Sequence, residues 1–233
     1  MIKLKDKFCS GWQTGDSYES KTRDFYKDED VAKLYHESHE FSFSNLRNIP
    51  FHVIAKLELR VLTKLIDQLQ PKTVIDVPCG TGKLAKIFSE RKTKVFSGDI
   101  SNEMLNFAKL CYSQENYTNV EFLIADAEKV SVTIPEKVDL SICLRLLHRV
   151  PTEIKSNILS DFSKTAPYLI CSTGIDTTFH TVRRNVRQKI LGGGSAYFYQ
   201  SQEDFEAVLQ ENYEIVSRHW VCPYVSQEMI YLL

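Results

Sequence analysis

The sequence predicts an α/β fold: one open, mostly parallel sheet of seven strands, helices on both faces, and an antiparallel last strand. Three observations carry that prediction. From residue 73 to 172, short β-branched runs alternate with helical patterns. Those runs are almost continuously apolar, as strands covered on both faces must be. Two further strand patterns then lie so close together at the end of the chain that only a hairpin can join them. A chain of 233 residues, 43% hydrophobic and 25% charged, suits a single domain of this kind. Its core can offset the conformational entropy of ordering the chain without a disulfide or structural metal.

The elements follow in order. Residues 1–50 read as a helical extension or cap, and residues 51–233 as the core domain. Over 51–70, Ile54, Leu57, Val61, Leu65 and Leu69 recur at helical spacing, and Pro71 follows the helix end. Strands are predicted over 73–77, 94–98, 120–125, 138–144 and 168–172. Helices are predicted over 83–91, 102–113 and 152–165, with Ser101 and Thr152 as N-caps. Residues from about 174 to 200 are too long for a simple connection and read as an insertion covering the site. Ser201 and Asp204 form a capping-box pattern opening a helix to about Gln210. Strands over 213–221 and 227–233 then pair as a hairpin about Pro223.

Composition excludes several classes of function. The six cysteines, Cys9, Cys79, Cys111, Cys143, Cys171 and Cys222, stand singly, with no C-x-x-C pair to suggest zinc or redox chemistry. They read as small buried hydrophobes in a reducing compartment. No apolar run approaches a membrane span and the first residues lack a signal-peptide core, so a cytoplasmic location is expected. A formal net charge of −1 gives no general attraction to a phosphate backbone, so no nucleic-acid partner is expected.

The strongest motif is VIDVPCGTG, residues 74–82, where a buried strand ends in an acid and enters a tight turn before a helix. Gly80 and Gly82, lacking Cβ, let the backbone bend and approach a ligand, with amides and a helix N-terminus facing it. In an open α/β sheet this is the crevice at the switch point. A nicotinamide dehydrogenase in this register needs glycines at 78, 80 and 83, where this chain has Pro78, Gly80 and Lys83. Residues 76–82 instead resemble motif I of the class I S-adenosylmethionine-dependent methyltransferases, in a D-x-P-C-G-T-G variant found among small-molecule enzymes. The departure from the common pattern is Pro78, which fits where no left-handed conformation and no amide donor is needed.

That resemblance implies a Rossmann-like class I methyltransferase fold, S-adenosyl-L-methionine as cofactor, and in-line methyl transfer to an oxygen, nitrogen or sulfur of a small molecule. It implies a cofactor turn made of Asp76, Pro78, Cys79, Gly80 and Gly82. Asp99, in GDISNEML, takes the ribose hydroxyls, with Ile100 beside it and Met104 packing on the adenine. In ADAE, residues 125–128, Asp126 accepts from the adenine amino group and the Ala127 amide lies near the ring. Leu144 closes the fourth strand, and Arg145 and His148 follow it, aimed at the crevice, with His148 the candidate base. In DEDVAKLYHESHEF, Tyr35 matches a tyrosine that covers the cofactor. His36 and His39 lack the carboxylate motif of a metal site, and no metal is expected.

Within the insertion, Arg183, Arg184 and Arg187 form a basic helical stretch suited to a carboxylate or phosphate on the acceptor. Gly192 to Gly194 read as a hinge, and Tyr197 and Tyr199, two apart, present one face to a pocket. The fourth strand lacks the N-P-P-Y type motif of enzymes that grip a flipped base. The alternative is a catalytically silent cofactor-binding regulator or scaffold, which keeps Gly80, Gly82 and Asp99 but transfers nothing.

Overall fold

The structure, a computed structural model, describes residues 49–191, 198–223 and 225–233. Most of the predicted N-terminal extension, including Cys9, Tyr35, His36 and His39, therefore lies outside the described residues, as do Gly192 to Gly194, Tyr197 and the side chains of Arg184 and Arg187.

The chain runs α1 (Ile49–Leu69), β1 (Thr73–Asp76), α2 (Ala85–Arg91), β2 (Lys94–Asp99), α3 (Asn102–Gln114), β3 (Val120–Ile124), a 3-10 turn (Ala127–Lys129) and short α4 (Val130–Thr133). It continues through β4 (Leu140–Cys143), a second 3-10 turn (Leu147–Arg149), α5 (Thr152–Phe162), β5 (Tyr168–Gly174), α6 (Thr178–Leu191), α7 (Gln202–Gln210), β6 (Ser217–Trp220) and β7 (Glu228–Leu232). The strands form one seven-stranded sheet in the order β3-β2-β1-β4-β5-β7-β6. β7 is antiparallel to both β5 and β6, and the other pairs are parallel, as the sequence predicted. The order reverses between β1 and β4, which opens a crevice at the carboxyl ends of those two strands.

Alternation along the strands explains the two layers. Val74, Leu140, Ile142, Ile170, Ile230 and Leu232 face α1, α2 and α3; their neighbours Ile75, Cys143, Leu169, Cys171, Met229 and Tyr231 face α5 and α7. Helix α1 contributes Leu62, Leu65 and Ile66, all essentially inaccessible, whereas Ile54, Leu57, Val61 and Leu69 are only half-buried. Its buried stripe is rotated from the predicted one because it also contains Glu58.

Three boundaries differ from expectation for local reasons. Helix α2 starts at Ala85, because residues 80–84 are spent on the turn, where Gly82 C=O accepts from Ala85 N–H at 3.0 Å. Helix α5 ends at Phe162, and the Thr165 hydroxyl donates back to the Phe162 carbonyl at 2.7 Å. β6 is only Ser217–Trp220; Tyr213 and Ile215 precede it and pack on the core. Thr152 is not an N-cap: Pro151 holds that position with no side-chain bond, Thr152 being the first helical residue. Ser101 and Ser201 do cap, accepting from the Met104 and Asp204 amides at 3.2 and 3.1 Å.

Candidate active site

The turn after β1 builds the centre of the crevice. The Val77 amide donates to Ile142 C=O at 3.0 Å and the Cys79 amide to Gly98 C=O at 2.8 Å, so the turn is tied to both neighbouring strands. Pro78, in a cis peptide bond, contributes no amide and none is called for. Gly80 and Gly82 are left-handed, with φ of 54° and 79°. A Cβ on Gly80 would meet nothing within 4 Å, so its backbone borders open space. A Cβ on Gly82 would lie 2.8 Å from Ala108 Cα, so this glycine lets α3 approach rather than a ligand. That is the close-packing role for which the residue at 83 was unsuited; here the glycine one position earlier fills it. Gly98 is similarly tight, a Cβ there falling 2.8 Å from both Ala125 Cβ and Val77 Cγ2.

Two acids close the adjacent strand ends. Asp99 accepts from Gly80 N–H at 2.9 Å on Oδ2 and from Ser101 N–H at 3.0 Å on Oδ1. A carboxylate has about four lone-pair sites, so acceptor capacity remains for a further donor such as a hydroxyl. Burial pushes Asp99 up to about 6 despite the backbone donors. Asp76 is buried more deeply in effect: burial, with the Asp99 charge beside it, pushes it up to about 8. Cys79 is buried and its thiol is pushed up by burial and by both acids, which makes it an inert wall.

Farther along the crevice, Met104 is buried at the start of α3 and Ile100 is half-buried between Asp99 and the Ser101 cap. Asp126 is half-buried and caps the first 3-10 turn, accepting from Glu128 N–H at 3.1 Å, with Ala127 half-buried beside it. Leu144, just past β4, is half-buried as well. The predicted cofactor residues thus occupy the ends of β1, β2, β3 and β4, the four strand ends around the switch point.

Arg145 and His148 follow β4, but their environments differ from one another. Arg145 has a left-handed backbone, φ 58°, fixed by its N–H donating to Ser172 Oγ at 2.9 Å. Its guanidinium pairs with Glu58 at 2.6 Å and approaches Glu228 at 3.5 Å. Lys83 pairs with the same Glu58 oxygen. Burial opposes the charge on Glu58, but Arg145 and Lys83 outweigh it and hold the carboxyl below its ordinary value. Burial and Glu58 push Glu228 the other way. This cluster joins α1, the motif turn, the end of β4 and the start of β7.

His148 lies in the second 3-10 turn with its ring near-parallel to Tyr199, 13° between planes and 6.1 Å between centroids. Burial, then the charges of Arg149, Arg145 and Lys155, hold its imidazole well below the usual range, so it is neutral. In the insertion, Arg183 donates to Val225 C=O at 3.2 and 3.3 Å and sits 5.9 Å from the Phe179 ring centroid. The side chains of Arg184 and Arg187 are outside the described residues.

Glu58, Glu228, Gly174 and Lys155 were not singled out by sequence, and Lys83 was noted only for breaking the nicotinamide glycine pattern. The signal for two of them was available: Glu58 and Lys155 fall one helical turn from Leu62 and from Ile158 and Leu159, charges on an apolar stripe. Among the described residues no group of three or more His, Cys, Asp or Glu is placed to hold a metal ion, and no helix is long and apolar enough to cross a membrane.

Comparison with known proteins shows what this arrangement is similar to. Residues 74–165 match a family model described as a methyltransferase domain, and this stretch runs from the second residue of β1 past β4 and includes every crevice residue from Asp76 to His148. Over that stretch the chain is similar to methyltransferase domains. More particularly, it is similar to ubiquinone biosynthesis O-methyltransferases: 30% identical over 122 residues to that of Nitrosomonas europaea, covering 52% of each chain, and 27% over 162 residues to that of Pseudomonas entomophila, covering 70% of this chain and 66% of the relative. The chain thus spans about half the length of the Nitrosomonas protein. In fold it resembles the magnesium protoporphyrin IX methyltransferase of Synechocystis PCC 6803 solved with bound SAH, with a TM-score of 0.77, 21% identity, and 90% of this chain and 96% of that one covered. It also resembles human N-acetylserotonin methyltransferase in complex with SAM, with a TM-score of 0.61, 16% identity, and 99% and 65% covered.

Proposed function

We propose that this protein is an S-adenosylmethionine-dependent methyltransferase acting on an oxygen of a small-molecule acceptor. The observation that carries the reading is the notch at Gly80: a left-handed glycine bordering open space, next to the Asp99 carboxylate, at the switch point of a methyltransferase domain. The residues present fit the cofactor. Asp99 keeps acceptor capacity for the ribose hydroxyls, Met104 and Ile100 offer apolar surface for a base, and Asp126 stands at the next strand end. S-adenosylmethionine supplies, when bound, a methyl carbon on a sulfonium that an acceptor oxygen displaces in line. The names of the relatives, O-methyltransferases of ubiquinone biosynthesis, favour oxygen as the acceptor atom.

The chain's own contribution is orientation. A bound pair of reactants held in register can lower a barrier by about 7 to 11 kcal/mol at most. His148 is neutral and too weakly basic to keep a proton at neutral pH, so its part is to accept a hydrogen bond from the acceptor and align it. Arg145, committed to Glu58 and Glu228, shapes the strand end. Tyr35 as a cover over the cofactor, and Arg183, Arg184 and Arg187 as a site for an anionic group on the acceptor, belong to this proposal too.

Calorimetric titration with S-adenosylmethionine and S-adenosylhomocysteine tests it. Uptake of both is expected, and Asp99→Ala should weaken it by about 1.5 to 3 kcal/mol, the range for hydrogen bonds to a charged group. No uptake at millimolar ligand sinks the proposal. Uptake with no labelled-methyl transfer to any acceptor would leave the silent regulator or scaffold instead.

A further inference from the structure

Lys155 is a fully buried lysine on α5, with no accessible surface. Its ammonium donates to Phe198 C=O at 2.9 Å and to the Gln200 side-chain oxygen, and lies 6.0 Å from the Phe205 ring centroid. The segment it holds, Phe198 to Gln200, is where the insertion returns to the core. That segment is fastened on both sides: Phe198 N–H donates to His148 C=O at 2.8 Å, Asp176 N–H donates to Gln200 C=O at 2.8 Å, and Gln200 makes a parallel bridge with Ile175. Between the two fastened residues stands Tyr199. Its ring lies against the Gly174 backbone at the end of β5, where a Cβ would fall 2.2 Å from Cε1, and near-parallel to His148.

We propose that Lys155 is a positioning residue for the acceptor: by holding the Phe198 to Gln200 segment across the ends of β4 and β5, it keeps the Tyr199 ring beside His148 as a flat wall of the acceptor site. This rests on the methyltransferase reading. A lysine is costly to bury unless its charge is hydrogen-bonded, and both acceptors here belong to one three-residue segment and none to the sheet. Gly174 is the complementary specificity position, since any side chain there displaces the ring and with it the wall. An aromatic acceptor lies against such a wall with its reacting oxygen toward His148.

The test uses the full chain saturated with S-adenosylhomocysteine and the probe 3,4-dihydroxybenzoate, titrated by calorimetry. Lys155→Met, which keeps an unbranched side chain one atom shorter and removes its donors, should raise the probe Kd tenfold or more while the S-adenosylhomocysteine Kd moves less than twofold. Tyr199→Ala should do the same, and the double variant should be no weaker than the worse single one, because both remove one wall. Where the wild-type protein methylates the probe, kcat/KM should fall tenfold or more, because the wall both binds and orients the acceptor. If Lys155→Met fails to fold, Gln200→Ala, which removes one acceptor of the ammonium, carries the same test. An unchanged probe Kd in the variants, an equal loss for both ligands, additive losses, or no probe binding by the wild type overturns the proposal. Failure of S-adenosylhomocysteine to bind the wild type overturns the methyltransferase reading instead.

Discussion

Asp99 holds its own loop together as well as facing the crevice. Its two oxygens accept from the half-buried Gly80 amide and the buried Ser101 amide, so Asp99→Ala takes the partner from both. Such a loss costs about 1 to 3 kcal/mol at a buried donor, and the variant should therefore lose stability in urea as well as affinity, whereas Asp99→Asn should keep more of the former than of the latter. His148 gives the opposite pattern. His148→Ala should lower turnover and leave S-adenosylhomocysteine affinity within a few-fold, and the wild-type pH–rate profile should show no limb near the ordinary histidine value, because burial holds this imidazole far below it. A limb near pH 6.5 that vanishes in His148→Ala would contradict the neutral assignment. Asp76, Asp99 and Gly80 were legible because motif residues report backbone geometry at a fixed place. Lys155 and Glu58 were not, since their partners, Phe198, Gln200, Lys83 and Arg145, come from distant parts of the chain.

The turn between β1 and α2 shows how two glycines in one motif do different work. Gly82→Ala drives a methyl group to 2.8 Å from the Ala108 backbone and leaves the residue at φ 79°, so α3 must move. Overpacking of this kind costs about 1 to 3 kcal/mol, to be read as a lower urea midpoint. Gly80→Ala meets nothing within 4 Å and should bring only the left-handed strain, about 1 to 2 kcal/mol, while its methyl group fills the notch. It should lose cofactor affinity out of proportion to stability, and equal losses would show that the notch is not part of the cofactor site. The helices were legible wherever an apolar stripe met a capping side chain, as at Ser101 and Ser201. Thr152 misled because Pro151, a residue with its φ already fixed, takes the cap position ahead of it. The α1 stripe was displaced by a carboxylate whose burial only tertiary ion pairs explain.

Across the whole molecule, the buried acids set how stability responds to pH. A folded pKa raised above the unfolded value means that the folded protein keeps a proton the unfolded chain releases. The resulting stability is complete below about 3.8 and is lost as pH climbs to about 8, the range spanned by Asp76. His148 and His219, both held low mainly by burial, act in the opposite sense but only below 6.5. Between pH 6.5 and 8 the protein without ligand should therefore become less stable, and Asp76→Asn should flatten that decline in chemical denaturation. An identical slope in the variant would show that Asp76 is already ionised. The sheet as a whole was legible because alternation of strand and helix leaves few topologies, and the hairpin at the end fixed the direction of β7. Yet β7, which follows β6 in the chain, sits inside the sheet with β5 on one side and β6 on the other. A chain made only as far as residue 227 thus has an open edge on β5 and no place for β6 to dock, so the outer part of the sheet can assemble only once residues 228–232 are free to enter it.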